Sequence, residues 1–246
     1  MTKTVYLTID DAPSSDSLHK LKYLTDRGIF AVWFCQGNFL EARPALALEI
    51  VKRGHWIGNH TYSHPYCSAL PVDQVFAEIR ATEAVINDLY RLSGVNRPHK
   101  LFRFPYGDKG DGRFGNPPGS PDVDKERRRA AIQSYLRLLG YVQFPFRDVT
   151  YPFYHSFGLL EDVDWYWTFD SFDWTTVVSE PPEDYGTPER ILARLDEDRP
   201  DSGRGLNSPD SADIVLVHDY PGNGELFERI IDRLIEKGVT FAVPAP

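Results

Sequence analysis

At 246 residues, with 41% hydrophobic side chains and five tryptophans, the chain has ample material for a sizeable core, which excludes disorder of the whole chain. The length suits one large domain or two small ones, and α/β barrels often reach it as one. A net charge of -9 argues against nucleic acid or an anionic membrane surface as the main partner, and leaves neutral or cationic substrates such as sugars open.

The first predicted element, Val5 to Ile9, runs V-Y-L-T-I and reads as a buried parallel strand ending in two adjacent carboxylates, Asp10 and Asp11. Leu18, Leu21 and Leu24 give helical spacing over Ser17 to Arg27, with Gly28 as the stop. Ile29 to Cys35 is a second strand, Pro44 to Arg53 a second helix, and Trp56 and Ile57 a short strand leading into N-H-T-Y-S-H-P, Asn59 to Pro65. This alternation is that of βα units around a parallel sheet. Val72 to Leu92 is the next helix, with Val75, Ile79, Val85, Ile86 and Leu89 on or near one face. Lys100 to Phe104 is a short strand ending in R-F-P-Y-G, and Gly107 to Asp124, rich in Gly, Pro and Asp, is a loop. Lys125 to Leu139 is a helix with a basic exposed face. The aromatic-rich run 141–166, interrupted by Pro145 and Pro152, has no readable period. Trp165 to Asp170 is a strand followed by D-S-F-D-W, and the polar stretch 181–209 holds a helix from Pro188 to Asp198. Asp213 to Val217 is a strand ending in H-D, Gly224 to Lys237 the closing helix, and Val239 to Val243 a final strand. With no internal repeat and no linker, one domain is expected.

The chemistry gathers at the ends of these strands. His60 and His64 stand four residues apart, so one helical turn or a tight loop would aim both rings at one point. Two neutral imidazoles and a carboxylate make a three-ligand site with a position left open, the catalytic arrangement for zinc. A second carboxylate beside the first is free to act as a base. Asp10, Asp11, His60, His64, Arg103, Asp170, Asp173 and His218 all fall at or just after C-terminal strand ends, the edge where parallel α/β folds assemble active sites. The residues therefore point to a metal-dependent hydrolase. Two cysteines are too few for a disulfide framework. Cys35 reads as a core residue, and Cys67 as a wall near the site rather than a ligand. His19, His55, His99 and His155 default to surface or core positions. No stretch has the length of a membrane span. No signal peptide precedes the first strand, so a cytoplasmic location is expected, or a secreted or periplasmic one if a leader was removed.

With these residues in view the chain resembles the NodB-homology polysaccharide deacetylases, the family-four carbohydrate esterases. Five ordered motifs carry the resemblance: Thr8-Ile9-Asp10-Asp11-Ala12-Pro13, His60-Thr61-Tyr62-Ser63-His64, Arg103-Phe104-Pro105-Tyr106, Asp170-Ser171-Phe172-Asp173-Trp174 and Leu216-Val217-His218. The resemblance implies a distorted (β/α) barrel, with Asp11, His60 and His64 binding a divalent metal, zinc or alternatively cobalt. It implies Asp10 as the general base, His218 as the general acid for the leaving amine, and Arg103, paired with Asp173, holding Asp10 ionised and oriented. The backbone N–H of Tyr106 would help stabilise the oxyanion, and Trp174 and Leu216 would wall the pocket for the acetyl methyl group. The implied substrate is an acetylated carbohydrate such as a chito-oligosaccharide or a peptidoglycan glycan, N-acetyl before O-acetyl.

Two features depart from the family pattern. Ala12 replaces its glycine in the first motif, where a positive φ would be costly for alanine. The interval from Arg103 to Asp173 is long, and its surplus, around 107–165, is either a surface insertion or a lid in which Tyr151, Phe153, Tyr154 or Phe157 stacks on sugar rings. Two other functions remain open from the sequence: hydrolysis of a non-sugar amide on the same site, and a carbohydrate-binding homologue without turnover.

Overall fold

The computed structural model describes residues 3–114, 122–181, 185–197 and 206–244. Parts of the loop expected over 107–124 and of the polar stretch 181–209, namely 115–121, 182–184 and 198–205, lie outside the described residues. Strand β1 (Thr4–Ala12) lies at the centre of a parallel sheet, with β2 (Val32–Cys35) and then β3 (Trp56–Asn59) on one side. On its other side lie β5 (Asp213–His218) and then β4 (Phe169–Asp170). A two-residue strand, β6 (Thr240–Phe241), pairs with the first residues of β1. Helices α1 (Ser17–Asp26), α2 (Gly37–Ala42), α3 (Pro44–Lys52), α4 (Val72–Ser93), α5 (Val123–Leu138), α6 (Pro152–Ser156), α7 (Pro188–Arg194) and α8 (Gly224–Glu236) connect and cover these strands.

Strand parity explains the layering. Side chains alternate between the two faces of a strand, and in a parallel sheet both faces are buried. Val5, Leu7, Ile9, Trp33, Cys35, Ile57, Val215 and Val217 join the apolar faces of α1, α3, α4 and α8 in one core. Tyr6, Val32, Phe34 and Ile214, on the opposite parity, meet Phe144, Phe146, Tyr151, Tyr154 and Trp165 in a second core. The 141–166 run therefore fills the concave side of the sheet with aromatic rings. Tyr151 and Tyr154 are therefore core residues and not sugar-stacking residues of a lid, while Phe153 and Phe157 are only partly buried against the same core. Tyr154 is fully buried and donates to the Tyr166 carbonyl at 2.9 Å, and Tyr151 is buried beside Asp213. Alternating strands offered an apolar inner face that something had to cover, and this segment covers it. Tyr154→Ala is accordingly expected to cost roughly 3–5 kcal/mol of stability, as for other large-to-small core changes, without altering substrate affinity. Denaturant unfolding beside Michaelis kinetics checks this.

The sheet curls into a distorted barrel through irregular backbone pairing. Asn59 N–H donates to the Leu101 carbonyl at 2.8 Å and Arg103 N–H to the Asn59 carbonyl at 3.0 Å, extending the layer past β3. Trp165 N–H donates to the Phe102 carbonyl at 2.8 Å, and Thr168 N–H to the Ile214 carbonyl at 3.0 Å, so the same stretch of chain reaches round to β5. The strands expected over Lys100–Phe104 and Trp165–Asp170 are thus reduced to isolated bridges and to the two residues of β4. Pro98 and Pro105 bracket the first and can donate no ladder hydrogen bond. The second divides its N–H groups between two different neighbours.

Candidate active site

Two adjacent residues of a regular strand point to opposite faces, yet Asp10 and Asp11 both reach the rim. The register between β1 and β2 slips between Asp10 and Ala12, and Asp11 takes a left-handed backbone with φ 63°. Such a bulge re-aims a side chain at the cost of strain, which for a non-glycine residue in this region is about 1–3 kcal/mol. Asp10 keeps its register opposite His218 of β5, which brings base and acid candidates onto one face. The same bulge resolves the departure at position 12. The positive φ belongs to Asp11, while Ala12 does not carry one and is fully buried in the helix-side core. Alanine fits there without cost.

His60 and His64 meet in a loop rather than on a helical turn. Thr61 and His64 adopt φ 63° and 58°, which folds the chain tightly between the two imidazoles. The Asn59 side chain accepts from Thr61 N–H at 2.9 Å, and Glu78 of α4 accepts from Tyr62 N–H, Ser63 N–H and the Ser63 hydroxyl at 2.7–2.9 Å. Helix α2 closes against the other side, its Gly37 N–H donating to the Thr61 carbonyl at 3.0 Å. A Cβ on Gly37 would lie 2.5 Å from the Tyr62 ring and 2.6 Å from the Thr82 hydroxyl, so only glycine permits this approach. Glu78 was not singled out by sequence, because an acidic residue on an amphipathic helix looks like any solvated one. Glu78→Ala is expected to weaken metal retention by about 10-fold, the lower range for loss of an outer-shell support. Chelator competition measures it; unchanged affinity would mean that the loop holds its shape without the clamp.

Asp11, His60 and His64 offer ligand atoms that all lie within 4.8 Å of one another. His64 Nε2 is 3.2 Å and His60 Nε2 3.8 Å from Asp11 Oδ1. His60 Nδ1 sits 2.8 Å from the Arg103 carbonyl, which fixes that nitrogen as the N–H and leaves the Nε2 lone pair for the cluster. Burial pushes the Asp11 carboxyl up, but the His64, His60 and His218 rings and the Tyr220 hydroxyl outweigh it and hold the group at about 2. Burial, opposed by Asp11, takes His64 down to about 4, so its ring is neutral at physiological pH. A carboxylate and two imidazoles converging in this way form a donor set suited to a divalent cation.

The rest of the site lies on either side of this cluster. Arg103 is buried, its guanidinium 4.4 Å from the Phe34 ring centroid, and donates to the Trp165 carbonyl at 3.0 Å and to Thr8 Oγ1 and Asp10 Oδ1 at 2.8 Å each. The expected pairing of Arg103 with Asp173 is not present. Asp173, in the short 3-10 turn after β4, accepts from His218 Nδ1 at 2.7 Å and His218 N–H at 2.9 Å. It also accepts from Ser171 Oγ at 2.8 Å and Asn223 Nδ2 at 3.3 Å, so its oxygens are taken by its own turn and by the end of β5 and the residues after it. Arg103 crosses the inner face toward β1, where Thr8 and Asp10 meet it. Burial alone would lower the His218 pKa, but Asp173, with Asp170 and Asp11, raises it to about 10. Burial likewise lifts Asp170, against the charge of His218, to about 6.

Asp10, Asp11, His60, His64, Asp170 and His218 open into one cleft of about 640 Å³, also lined by Tyr66, Tyr106, Trp174 and Leu216, while Arg103 and Asp173 lie buried behind it. Tyr106 is half-exposed with φ 58°, its ring 4.5 Å from that of His64. Asp11, Thr61, His64, Tyr106 and Phe172 all have positive φ and all sit in or beside the site motifs. Cys67 is buried in a core cluster with Val75, Ile79 and Phe102, away from the cleft lining, and Cys35 is buried in the helix-side core. His55 accepts from Ala31 N–H and Trp33 Nε1, while His19 pairs with Glu228 at the surface. His99 packs on Trp56 and Phe144, and His155 contacts the Val149 carbonyl at 3.0 Å. Sequence reading passed over two residues that touch Asp11. Gln36 Nε2 donates to Oδ1 at 2.7 Å and the Tyr220 hydroxyl to Oδ2 at 2.6 Å. Neither has a spacing signal, since their approach depends on where α2 begins and on how the chain turns after β5.

Residues 1–113 match the family model described as polysaccharide deacetylase. A peptidoglycan-N-acetylglucosamine deacetylase from Bacillus cereus is 37% identical over 105 residues, 42% of this chain and 36% of that protein. A chitin deacetylase from Cryptococcus neoformans is 32% identical over 105 residues, 43% of this chain and 21% of that one. The matches thus span well under two thirds of these relatives. Among solved structures, a family 4 carbohydrate esterase from Streptomyces lividans in complex with acetate has a TM-score of 0.61 at 24% identity, covering 99% of this chain and 94% of that one. A family 4 pseudoenzyme from Bacillus anthracis has a TM-score of 0.62 at 20% identity, covering 98% of this chain and 63% of its own. At such identities the structural likeness speaks for the fold, a NodB-type barrel. Together with the match over the segment that holds both the double aspartate and the two histidines, it makes the first half of this chain similar in sequence, and the whole of it similar in fold, to the polysaccharide deacetylases.

Proposed function

We propose that this chain is a metal-dependent deacetylase that hydrolyses an N-acetyl group on a carbohydrate, with a chito-oligosaccharide or the glycan of peptidoglycan as the substrate class. The observation that carries the reading is the convergence, in one cleft, of a three-donor cluster with a carboxylate held by Arg103 and an imidazole held by Asp173. Asp11, His60 and His64 would hold the metal, zinc by their ligand types, with cobalt as a working substitute. When bound, a divalent cation polarises the amide carbonyl and lowers the pKa of a water toward 7.

The chain's own groups supply the proton transfers. Asp10, fixed through Oδ1 by Arg103, takes the proton of the attacking water on Oδ2. The imidazolium of His218, stabilised by Asp173, gives its proton to the departing amine, which is otherwise too poor a leaving group. The Tyr106 N–H is assigned to the oxyanion, a contact whose loss typically costs about 3 kcal/mol of barrier. Trp174 and Leu216 wall the space for the acetyl methyl group. Release of acetate from acetylated chito-oligosaccharides and from peptidoglycan, before and after chelation and on re-addition of zinc or cobalt, tests the reading. No acetate from any acetylated glycan by the metal-loaded protein would overturn it in favour of a binding homologue without turnover.

A further inference from the structure

The metal-binding reading leaves one question of the site unanswered: what keeps Asp11, a residue with two equivalent oxygens, in a single binding mode. Asp11 Oδ1 faces the two imidazoles, at 3.2 Å from His64 Nε2 and 3.8 Å from His60 Nε2. Oδ2 is taken by the Tyr220 hydroxyl at 2.6 Å. A phenol has one proton to donate, and here it is committed to that oxygen. The Tyr220 ring lies parallel to the His218 imidazole, at 12° and 5.5 Å between centroids, so one side chain touches both the ligand and the imidazole held by Asp173.

The backbone beneath Tyr220 is fastened with unusual thoroughness. Asp219 is fully enclosed and paired with the equally buried Lys20 of α1 at 2.6 Å. Its carboxylate also accepts from Ser14 N–H and Ser14 Oγ at 2.8 Å each, and from the Ser17 hydroxyl. Lys20 Nζ reaches on to the Tyr220 carbonyl at 3.2 Å, and Asp219 N–H donates to the Asp10 carbonyl at 2.8 Å. Removing one partner of such a pair would leave a buried charge uncompensated, so the turn carrying Tyr220 has little freedom.

We propose that Tyr220 is a positioning residue that binds Asp11 Oδ2 and thereby restricts Asp11 to metal coordination through Oδ1 alone, keeping a coordination position open for the reacting groups. Outer-shell donors to ligating carboxylates act in this way generally: they fix ligand orientation and set affinity. Gln36, donating to Oδ1, steadies the same carboxylate from the opposite side, but it does not occupy the second oxygen.

The inference rests on the metal-dependent reading and is tested so that the two can fail separately. Tyr220→Phe removes the hydroxyl and keeps the ring stacked on His218. Wild type and Y220F are stripped of metal, loaded with Co(II), and compared by chelator competition and by visible absorption, which weakens as the coordination number of cobalt rises. The expected result is about 10- to 100-fold weaker retention of Co(II) in Y220F, with a changed spectrum and unchanged melting of the metal-free protein. Affinity within twofold of wild type and a superimposable spectrum would overturn the role of Tyr220 while leaving the metal site standing. Failure of the wild type itself to bind Co(II) would overturn both. Should metal-free Y220F melt well below wild type, Tyr220→Trp, which keeps a flat ring but puts no hydroxyl on Oδ2, must show the same loss for the proposal to stand.

Discussion

Asp10→Asn is expected to lower turnover by about 10²- to 10⁴-fold, the range for removing a positioned general base, while retaining metal. Asp11→Asn is expected to lose the metal itself. The division follows from what each carboxylate touches. Asp10 Oδ1 is held by Arg103 at 2.8 Å, and its Oδ2 stands 3.6 Å from His60 Nε2, beside the donor cluster but outside it. Asp11 Oδ1 is part of the cluster. Amidation of Asp10 removes its basicity and changes its shape little. Acetate release and chelator competition on both variants decide the matter; equal loss of metal from the two would refute the assignment.

Asp173→Asn should move the alkaline limb of the pH–rate profile down. His218 must carry its proton to act as an acid, so its contribution is present below its pKa and lost as pH rises through it. In the wild type that pKa is raised from 6.5 to about 10, against burial, chiefly by Asp173. An amide at position 173 would remove the largest opposition to burial, which lowers the value, and leave only Asp170 and Asp11 against it. At pH 8.5 an imidazole with pKa near 6.5 is only about 1% protonated, so a fall on the order of 100-fold is expected there, shrinking toward acid pH. The full profile of kcat/KM against pH separates this from a simple loss of fold, which would depress both limbs alike. An unchanged alkaline limb would remove His218 from the acid role.

The two corrections to the sequence reading have one origin. Arg103 and Asp173 each looked like half of an ion pair because both are charged, both end strands, and sequence offers no distances. The structure separates them by direction. Arg103 enters from beyond β3 and crosses Phe34 toward β1, whereas Asp173 turns onto His218 at the end of β5. The aromatic run 141–166 looked like a lid because aromatic residues without a period read equally well as a sugar platform or as core. Its burial against Tyr6, Val32 and Ile214 follows from strand parity, and the parity of β1, β2 and β5 was itself legible; what the sequence did not show is that this run, with the short helix α6 inside it, is the segment that covers that face.

The βα order and the parallel sheet are legible in the local pattern of residues, and Asp10, Asp11, His60, His64, Arg103 and His218 lie close together in the fold, as their motifs at the strand ends suggest. Those features are local, since an apolar run, a glycine stop or a pair of histidines four apart carries its physics within a few residues. Tertiary structure alone decided which groups face one another. The bulge that turns Asp10 and Asp11 to one rim, the Glu78 clamp under the histidine loop, and the Tyr220 and Gln36 contacts to Asp11 join residues 15 to 209 positions apart, or depend on a backbone twist at a single residue. Hydrogen bonds reach only about 3 Å and must be aimed, so no composition or spacing can report them before the chain has closed on itself.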